Sequence, residues 1–224
     1  MISIAIDGPG GAGKSTVAKL LSKKLNYIYV DTGALYRAIG LYMYRLGINT
    51  DNKDAVAEKL DEISLELKYV DGEQKVFLNG EDVSTEIRIN EISMMASKVS
   101  AIPEVRKFLL NLQRNIALRD NIIMDGRDIG TVILPNATVK IYLTASEQKR
   151  AERRYKELVE KGMEISYEKI LSDIIERDRN DMTREIAPLK QADDAVLINS
   201  DNMNIEQVIE KIIEIMRRKS ENDI

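Results

Sequence analysis

A glycine-rich segment near the N-terminus constrains this chain more than any other feature of its sequence. The stretch IAIDGPGGAGKSTVAKLL fits the pattern G-x-x-x-x-G-K-[ST] at Gly8, Gly13, Lys14 and Ser15. Glycine lets a loop point successive N–H groups at one anion, and the start of the following helix adds positive charge. The alternative is a flexible turn with a surface lysine, but the apolar run before the loop and the helical pattern after it favour an anion site.

This loop predicts that the protein binds a nucleoside triphosphate. Lys14 is expected to reach the β- and γ-phosphates, and the Ser15 hydroxyl can ligate Mg²⁺. A GTPase switch and a small-molecule kinase both use such a loop, but no guanine-reading N/T-K-x-D motif follows later in the chain. The residues expected to contact ATP in the loop are Gly8, Pro9, Gly10, Gly11, Ala12, Gly13, Lys14, Ser15 and Thr16.

Short β-branched runs alternate with longer helical patterns along most of the 224 residues. The segment after the glycine loop, for example, places Val17, Leu20, Leu21 and Leu25 on one helical face. Such alternation predicts an α/β fold with a central parallel sheet of about five strands and helices on both faces. The strand-like runs lie at 2–6, 27–31, 121–125, 138–144 and 195–199.

One stretch breaks this alternation. Residues 63–84 (ISLELKYVDGEQKVFLNGEDVS) alternate with period two, and turn signals stand at Asp71-Gly72 and Asn79-Gly80. This pattern predicts a small antiparallel meander inserted into the α/β layers. A substrate clamp and a surface decoration are equally compatible with such an insertion.

Composition excludes several kinds of chemistry. The chain has no cysteine and no histidine, so it lacks a Ser-His-Asp triad, a cysteine nucleophile, a Cys/His zinc site and a histidine base. A net charge of -4 argues against a dedicated nucleic-acid binder. The N-terminus lacks a basic segment followed by a long apolar one, and no apolar run is long enough to span a bilayer. These features predict a cytoplasmic protein without a membrane partner.

Two polar clusters follow predicted strands. In DTGALYR, Thr32 stands at a strand end and Arg37 lies in the next helix; in NIIMDGRDIG, a strand ends at Asp125 and Arg127 and Asp128 follow in a glycine-flanked turn. The carboxyl ends of strands in a doubly wound sheet face the ligand crevice. A second anion-binding element so close to the first favours a kinase whose acceptor is also anionic.

Two further clusters fall in helical segments. A solvated, salt-bridged helix is the commoner explanation for each cluster alone. Beside a phosphate loop, however, arginines can screen the charges of two phosphorylated molecules by bidentate hydrogen bonds. The first cluster is Arg177, Asp181 and Arg184 on one predicted helical face, and the second is Arg150, Arg153 and Arg154.

The motifs in combination resemble the bacterial cytidylate kinases over nearly the whole chain. The motifs are IDGPGGAGKST, YVDTGALYRA, VRKFLLNLQR, MDGRDIGTVI, RAERRYKEL and ERDRNDMTREIAPLKQADDAVLINS, in this order. The resemblance implies a single P-loop NTPase domain over 1–224, with a monophosphate-binding insertion at about 63–100 and a helical lid at about 150–166. It also implies a monomer that transfers the γ-phosphate of ATP to CMP or dCMP with Mg²⁺.

The resemblance further implies roles for individual residues. The role of Asp125 follows instead from its place after the apolar run NIIM: it is expected to reach Mg²⁺ through water, although a strand-end cap is an equally good explanation for it. Lys14, Arg127, Arg153 and Arg184 are the expected catalytic residues, and Arg154 joins the ATP-binding set. The acceptor is held by Thr32, Arg106 and Asp128 at the base, by Ser97, Arg177 and Asp181 at the sugar, and by Arg37, Arg127 and Arg184 at the phosphate.

Two other functions compete with this interpretation. One is a related small-molecule P-loop kinase that acts on UMP or shikimate. The other is a nucleotide switch that binds a partner and hydrolyses its nucleotide slowly. The acceptor is a phosphate oxygen if the first interpretation holds, and it needs no strong general base, so the lack of histidine is no obstacle.

Overall fold

The computed structural model describes residues 1–70, 73–160 and 162–222. The strands are β1 (Ser3–Asp7), β2 (Ile28–Asp31), β3 (Leu65–Val70), β4 (Glu73–Leu78), β5 (Glu81–Asp82), β6 (Ile122–Gly126), β7 (Val139–Thr144) and β8 (Val196–Asn199). The helices are α1 (Lys14–Leu25), α2 (Thr32–Arg45), α3 (Lys53–Glu58), α4 (Asn90–Val99), α5 (Pro103–Ala117), α6 (Glu147–Glu160), α7 (Tyr167–Thr183) and α8 (Ile205–Asn222).

A five-stranded sheet in the order β2-β6-β1-β7-β8 forms the centre of the α/β arrangement. Strand β1 pairs in parallel with β6 and β7, and β7 pairs in parallel with β8. Ile4, Ala5 and Ile6 of β1 are completely buried, as expected for a strand covered on both faces. The predicted parallel sheet of about five strands is confirmed.

The chain forms two compact units. The first unit consists of Met1–Tyr29 and Asp120–Ile224, and the second unit is Val30–Arg119. Each unit has its own apolar core. In the first unit, side chains of β1, β6, β7 and β8 pack with apolar residues of α1 and α8.

Helix α1 packs on this core with a narrower face than its sequence predicts. Val17 and Leu21 are buried, and Leu25 is half-buried against the same cluster. Leu20, which the sequence pattern groups with them on one helical face, is however 44% exposed. Residues 17, 18, 21 and 22 turn toward the sheet, and Leu20 remains at the rim beside Lys24 and Ile209.

The core of the second unit is built from α2, α4, α5 and the small antiparallel sheet β3-β4-β5. Val76 and Leu78 alternate inward along β4, which confirms the period-two prediction. The predicted Asn79-Gly80 turn is also confirmed, because both residues have positive φ angles between β4 and β5. The turn predicted at Asp71-Gly72 lies outside the described residues.

The glycine loop leaves β1 at a position that accepts no side chain. Gly8 has φ +146°, and a Cβ there would lie 1.9 Å from the Leu143 carbonyl oxygen of β7. Gly13, with φ +89°, then caps the start of α1 at Lys14. The loop is therefore fixed at both ends, by close packing on the sheet and by a helix N-terminus. Among the described residues, none of the helices is long and apolar enough to cross a membrane.

Candidate active site

Lys14 is the first residue of α1, and its side chain turns back onto the glycine loop. Its side chain is buried, and Nζ donates to the Pro9 carbonyl oxygen at 2.8 Å. Burial and the nearby positive charge of Arg127 lower the pKa of Lys14 well below its usual range. An anion bound in the loop would favour the charged ammonium again, because an opposite charge at short range offsets burial. The loop geometry therefore suits a polyphosphate.

Ser15 and Asp125 lie side by side at the edge of the sheet. The Ser15 hydroxyl donates to Asp125 Oδ2 at 3.0 Å, and the Tyr29 hydroxyl donates to Oδ1 at 2.9 Å. Hydroxyl and carboxylate oxygens are ligands that Mg²⁺ accepts, usually together with phosphate oxygens of a substrate. No cluster of three or more acidic residues that could hold a metal occurs in the described part of the chain. The Ser15–Asp125 pair therefore fits a Mg²⁺ ion shared with a nucleotide. The role of Tyr29 was not predicted.

Arg127 is a partly buried cation beside the glycine loop, with 18% of its side chain exposed. Its Nε donates to Asp181 Oδ2 of α7 at 2.8 Å, and a Cβ on Gly10 would lie 3.5 Å from its Nη2. The same Cβ would lie 3.7 Å from Arg177. Burial alone would lower the pKa of Arg127, but the carboxylates of Asp181, Asp125 and Asp178 together outweigh burial and raise it. The predicted cluster on α7 thus belongs to a partly buried charge network next to the loop, and a solvated helix face does not describe it.

Arg184 reaches this region from outside the helix. Helix α7 ends at Thr183, and the Arg184 backbone is extended, so its predicted place on the same helical face as Arg177 is wrong. Its Nε donates to the Ala187 carbonyl oxygen, and its Nη2 lies 3.5 Å from Asp128 Oδ1. The extended backbone brings Arg184 to the side chain of Asp128, and both side chains are buried.

The three arginines at the start of α6 have separate surroundings. Arg150 is buried and donates to Asp178 Oδ2 at 2.6 Å and to the Gly10 carbonyl oxygen at 2.8 Å. Arg153 donates to the Ser200 carbonyl oxygen at 2.7 Å. Arg154 is exposed and pairs with Glu157 on the same helix. Arg150 therefore holds the glycine loop through the Gly10 carbonyl oxygen, a role that its sequence context did not indicate.

In the second unit, Arg37 is held at the start of α2. Its Nη2 donates to Asp31 Oδ2 at 2.8 Å, and Arg88 donates to the same oxygen at 2.9 Å. Burial would raise the pKa of Asp31, but the two arginines together lower it. The Nε of Arg37 is buried and has no hydrogen-bond partner among the described residues. Arg37 thus keeps one donor that a ligand anion can use.

The other predicted residues of the second unit lie on three helices. Thr32 is buried at the first position of α2. Arg106 of α5 donates to the Ser100 carbonyl oxygen at 3.2 Å, and its guanidinium lies 5.8 Å from the centre of the Tyr36 ring. The Ser100 hydroxyl in turn donates to the Ser97 carbonyl oxygen. Hydrogen bonds thus connect Arg106 to the end of α4, where Ser97 lies.

Comparison with known proteins identifies the family. The sequence model described as cytidylate kinase matches residues 4–218. The chain is 51% identical over 223 residues to the cytidylate kinase of Caldicellulosiruptor saccharolyticus, covering 100% of this chain and 99% of the relative. The chain belongs to the cytidylate kinase family. A second member, from Carboxydothermus hydrogenoformans, is 47% identical over 218 residues and covers 97% of this chain and 98% of its own.

Solved structures show the same fold at low sequence identity. A gluconokinase from Sinorhizobium meliloti 1021 superimposes with a TM-score of 0.50 and 14% identity, covering 99% of this chain and 94% of that one. This similarity concerns the fold alone. The family membership and the fold predicted from the cytidylate kinase motifs are therefore both confirmed.

Asp7 is a buried residue of this cytidylate kinase family member that sequence reasoning missed. It ends β1, directly before the glycine loop. Its Oδ1 accepts from the Ile129 N–H and its Oδ2 from the Gly130 N–H, each at 2.7 Å. Burial raises the pKa of Asp7 to about 6, against the two hydrogen bonds, which lower it. A carboxylate in an otherwise apolar strand was the available signal.

The raised pKa of Asp7 predicts a pH dependence of stability. An unfolded aspartate titrates near 3.8, so between about pH 4 and 6 the folded state holds a proton that the unfolded state has lost. The free energy of unfolding should therefore fall as the pH rises through this window, by up to about 1.4 kcal/mol per pH unit. Asp7→Asn, which cannot titrate, should lack this contribution. Urea unfolding of both proteins across the window measures the difference, and parallel curves would contradict the prediction.

Proposed function

We propose that this protein transfers the γ-phosphate of ATP to CMP or dCMP and forms ADP with CDP or dCDP. The observation that carries the proposal is the pair of partly buried arginines, Arg127 and Arg177, against Gly10, in a chain about half identical over its full length to cytidylate kinases. A nucleotide switch needs to hold only one polyphosphate. A kinase with a nucleotide acceptor must also neutralise a second phosphate close to the first.

The residues of the first unit can act on the donor nucleotide by charge and position. The N–H groups of the glycine loop and the N-terminus of α1 would surround the phosphates, and the Lys14 ammonium lies against the loop at the Pro9 carbonyl oxygen. Because these groups are fixed before the nucleotide arrives, little reorganisation is needed as charge develops on the transferred group. The acceptor phosphate oxygen is already anionic, so no side chain has to remove a proton from it.

Ser15 and Asp125 are the residues that would hold Mg²⁺, Ser15 directly and Asp125 through water. The Ser15 hydroxyl donates a hydrogen bond to Asp125, which leaves the lone pairs of the hydroxyl oxygen available to a ligand. When bound, the ion would neutralise part of the negative charge of the phosphates. Tyr29 keeps the Asp125 carboxylate oriented for this role.

Recognition of the acceptor rests on the roles that the family resemblance implies. Arg37, Arg127 and Arg184 are assigned to the phosphate, and the unpartnered Nε of Arg37 supports this assignment. We assign Thr32, Arg106 and Asp128 to the base, and Ser97, Arg177 and Asp181 to the sugar.

We further propose that Arg153 and Arg154 act on ATP as lid arginines and that the protein is a cytoplasmic monomer. Arg154 supports this role because its exposed side chain is free to leave Glu157 at little energetic cost.

Asp128→Ala should lower kcat/KM for CMP far more than for UMP. Cytosine presents an amino donor at C4 and uracil presents a carbonyl acceptor, so a carboxylate accepts from the first and repels the second. Loss of the carboxylate should narrow the CMP/UMP ratio by at least about tenfold. Steady-state kinetics with both acceptors measures the ratio. If Asp128 served only to cap the turn, both substrates would suffer equally and the ratio would not change.

A coupled assay of ADP formation with a panel of acceptors tests the proposed function. The panel contains CMP, dCMP, UMP, shikimate and a sample without acceptor. Fast turnover with CMP and dCMP alone is expected. Fast turnover only with UMP or only with shikimate would point to the related kinases. Slow ADP formation that does not depend on the acceptor would support a nucleotide switch.

A further inference from the structure

The turn that contains Asp128 is fixed by hydrogen bonds on both sides. The Asp128 carbonyl oxygen accepts from the N–H groups of Val132 and Ile133, at 2.9 and 3.2 Å. The next two N–H groups, of Ile129 and Gly130, donate to the Asp7 carboxylate. The Asp7 carboxylate thus caps the N-terminus of the short π-helix Ile129–Ile133, which begins immediately after Asp128. The direction of the Asp128 side chain follows from this backbone.

Asp7 is itself a rigid point of the sheet. It pairs with Gly126 of β6 and with Tyr142 of β7 on the central strand, and it is only 4% exposed. The residue that follows it is Gly8, whose Cα is packed against the Leu143 carbonyl oxygen. A displacement of the Asp7 carboxylate would therefore be transmitted to the Asp128 turn rather than absorbed by Asp7.

The contact between Asp7 and the turn is also sterically close. A Cβ on Gly130 would lie 3.3 Å from Asp7 Oδ2 and 3.1 Å from Lys140 Cδ. These distances are shorter than ordinary van der Waals contacts, so a methyl group at this position has to displace the carboxylate or the lysine side chain. Gly130 therefore allows both N–H groups to reach one carboxylate.

We propose that Asp7 is a positioning residue for base discrimination: its two hydrogen bonds to Ile129 and Gly130 set the backbone that aims the Asp128 carboxylate at the base. The inference rests on the proposed function, in which Asp128 reads the cytosine amino group. Asp7 acts through Asp128 and touches neither the base nor the phosphates. The glycine loop and the base-reading turn thereby share one anchor, at the end of β1.

Asp7→Asn tests this role with almost no change in shape. An amide offers one acceptor oxygen and one NH₂ donor, so one of the two backbone N–H groups loses its acceptor and faces another donor. The ratio of kcat/KM for CMP to that for UMP should narrow by at least about fivefold, whereas KM for ATP should change by less than about twofold. A purely structural role would reduce the active fraction and lower activity with both acceptors alike, leaving the ratio unchanged.

A double-variant cycle decides whether Asp7 acts through Asp128. In an Asp128→Ala background, Asp7→Asn should have no further effect on the CMP/UMP ratio, because the group that it positions is absent. An equal effect in both backgrounds would overturn the inference. So would an unchanged ratio in the Asp7→Asn single variant.

Two more variants complete the test, one on the turn itself and one at a distant carboxylate. Gly130→Ala disturbs the contact between the turn and the Asp7 carboxylate from the side of the turn. It should also narrow the ratio of kcat/KM for CMP to that for UMP. This variant keeps the inference testable if Asp7→Asn does not fold. Asp201→Asn is the matched control, because this carboxylate also accepts a backbone N–H, from Ser146 at 2.7 Å, and should leave the ratio unchanged. A wild-type protein without any preference for CMP would instead contradict the proposed function.

Discussion

Lys14→Ala should lower kcat by at least about a hundredfold, because it removes the cation that neutralises charge as the phosphoryl group moves. The fold should persist. The Lys14 side chain donates a hydrogen bond to the Pro9 carbonyl oxygen of the loop. Burial already disfavours the charge of Lys14 in the absence of a nucleotide. Loss of this side chain therefore removes little that the empty protein depends on. Steady-state kinetics and circular dichroism measure the two effects.

Lys23→Ala is the matched control for this prediction. Lys23 lies on the same helix, α1, but is exposed near its C-terminal end. Its removal should leave kcat within about twofold of the wild-type value. A folded Lys14→Ala protein with near wild-type kcat would show that the glycine loop does not hold the transferred phosphate.

Arg127→Ala should produce the second large effect, a fall of at least about a hundredfold in kcat/KM for CMP. The substitution removes a partly buried cation next to Gly10 and takes from the buried Asp181 carboxylate a partner that donates to it at 2.8 Å. Breaking a fully buried pair typically costs about 3–5 kcal/mol, so loss of this partly buried pair should cost less but should still lower the melting temperature. The KM for ATP should change much less than the KM for CMP, because Arg127 is assigned to the acceptor.

Two other substitutions separate charge from geometry at this position. Arg127→Lys keeps the positive charge but loses the planar fork of the guanidinium, and we expect it to recover stability more than activity. Arg218→Ala removes an exposed arginine that pairs with Glu214 on α8, and it should change neither the melting temperature nor kcat/KM for CMP. If Arg127→Ala weakened ATP binding and left CMP kinetics unchanged, the donor and acceptor assignments would be reversed.

The sheet could be predicted because its strands carry their signal locally. Ile4 and Ile6 in β1, or Ile123 in β6, belong to short apolar runs that end at a polar residue or a glycine. Such runs suit strands buried on both faces, whatever their neighbours are. The glycine loop could be predicted for the same reason, because the spacing of Gly8, Gly13 and Lys14 is a local signal for its conformation.

The surroundings of the charged residues could not be predicted in this way. Arg150 and Arg154 lie four residues apart on α6, yet one is buried against Asp178 and the other pairs with Glu157 in solvent. The difference depends on α7, a separate helix that packs against α6, and no local pattern encodes it. The position of Arg184 depends on where α7 ends, and helix ends are the least certain part of a sequence-based prediction.

Phosphate transfer itself is the most direct test of the proposed activity. The protein is incubated with Mg²⁺, CMP and ATP labelled at the γ-phosphate, and the products are separated by anion-exchange chromatography. Transfer to CMP predicts that the label appears in CDP, in an amount equal to the ADP formed, and that Asp128→Ala and Lys14→Ala both reduce it. Label that appears as inorganic phosphate, with ADP but without CDP, would contradict the proposal.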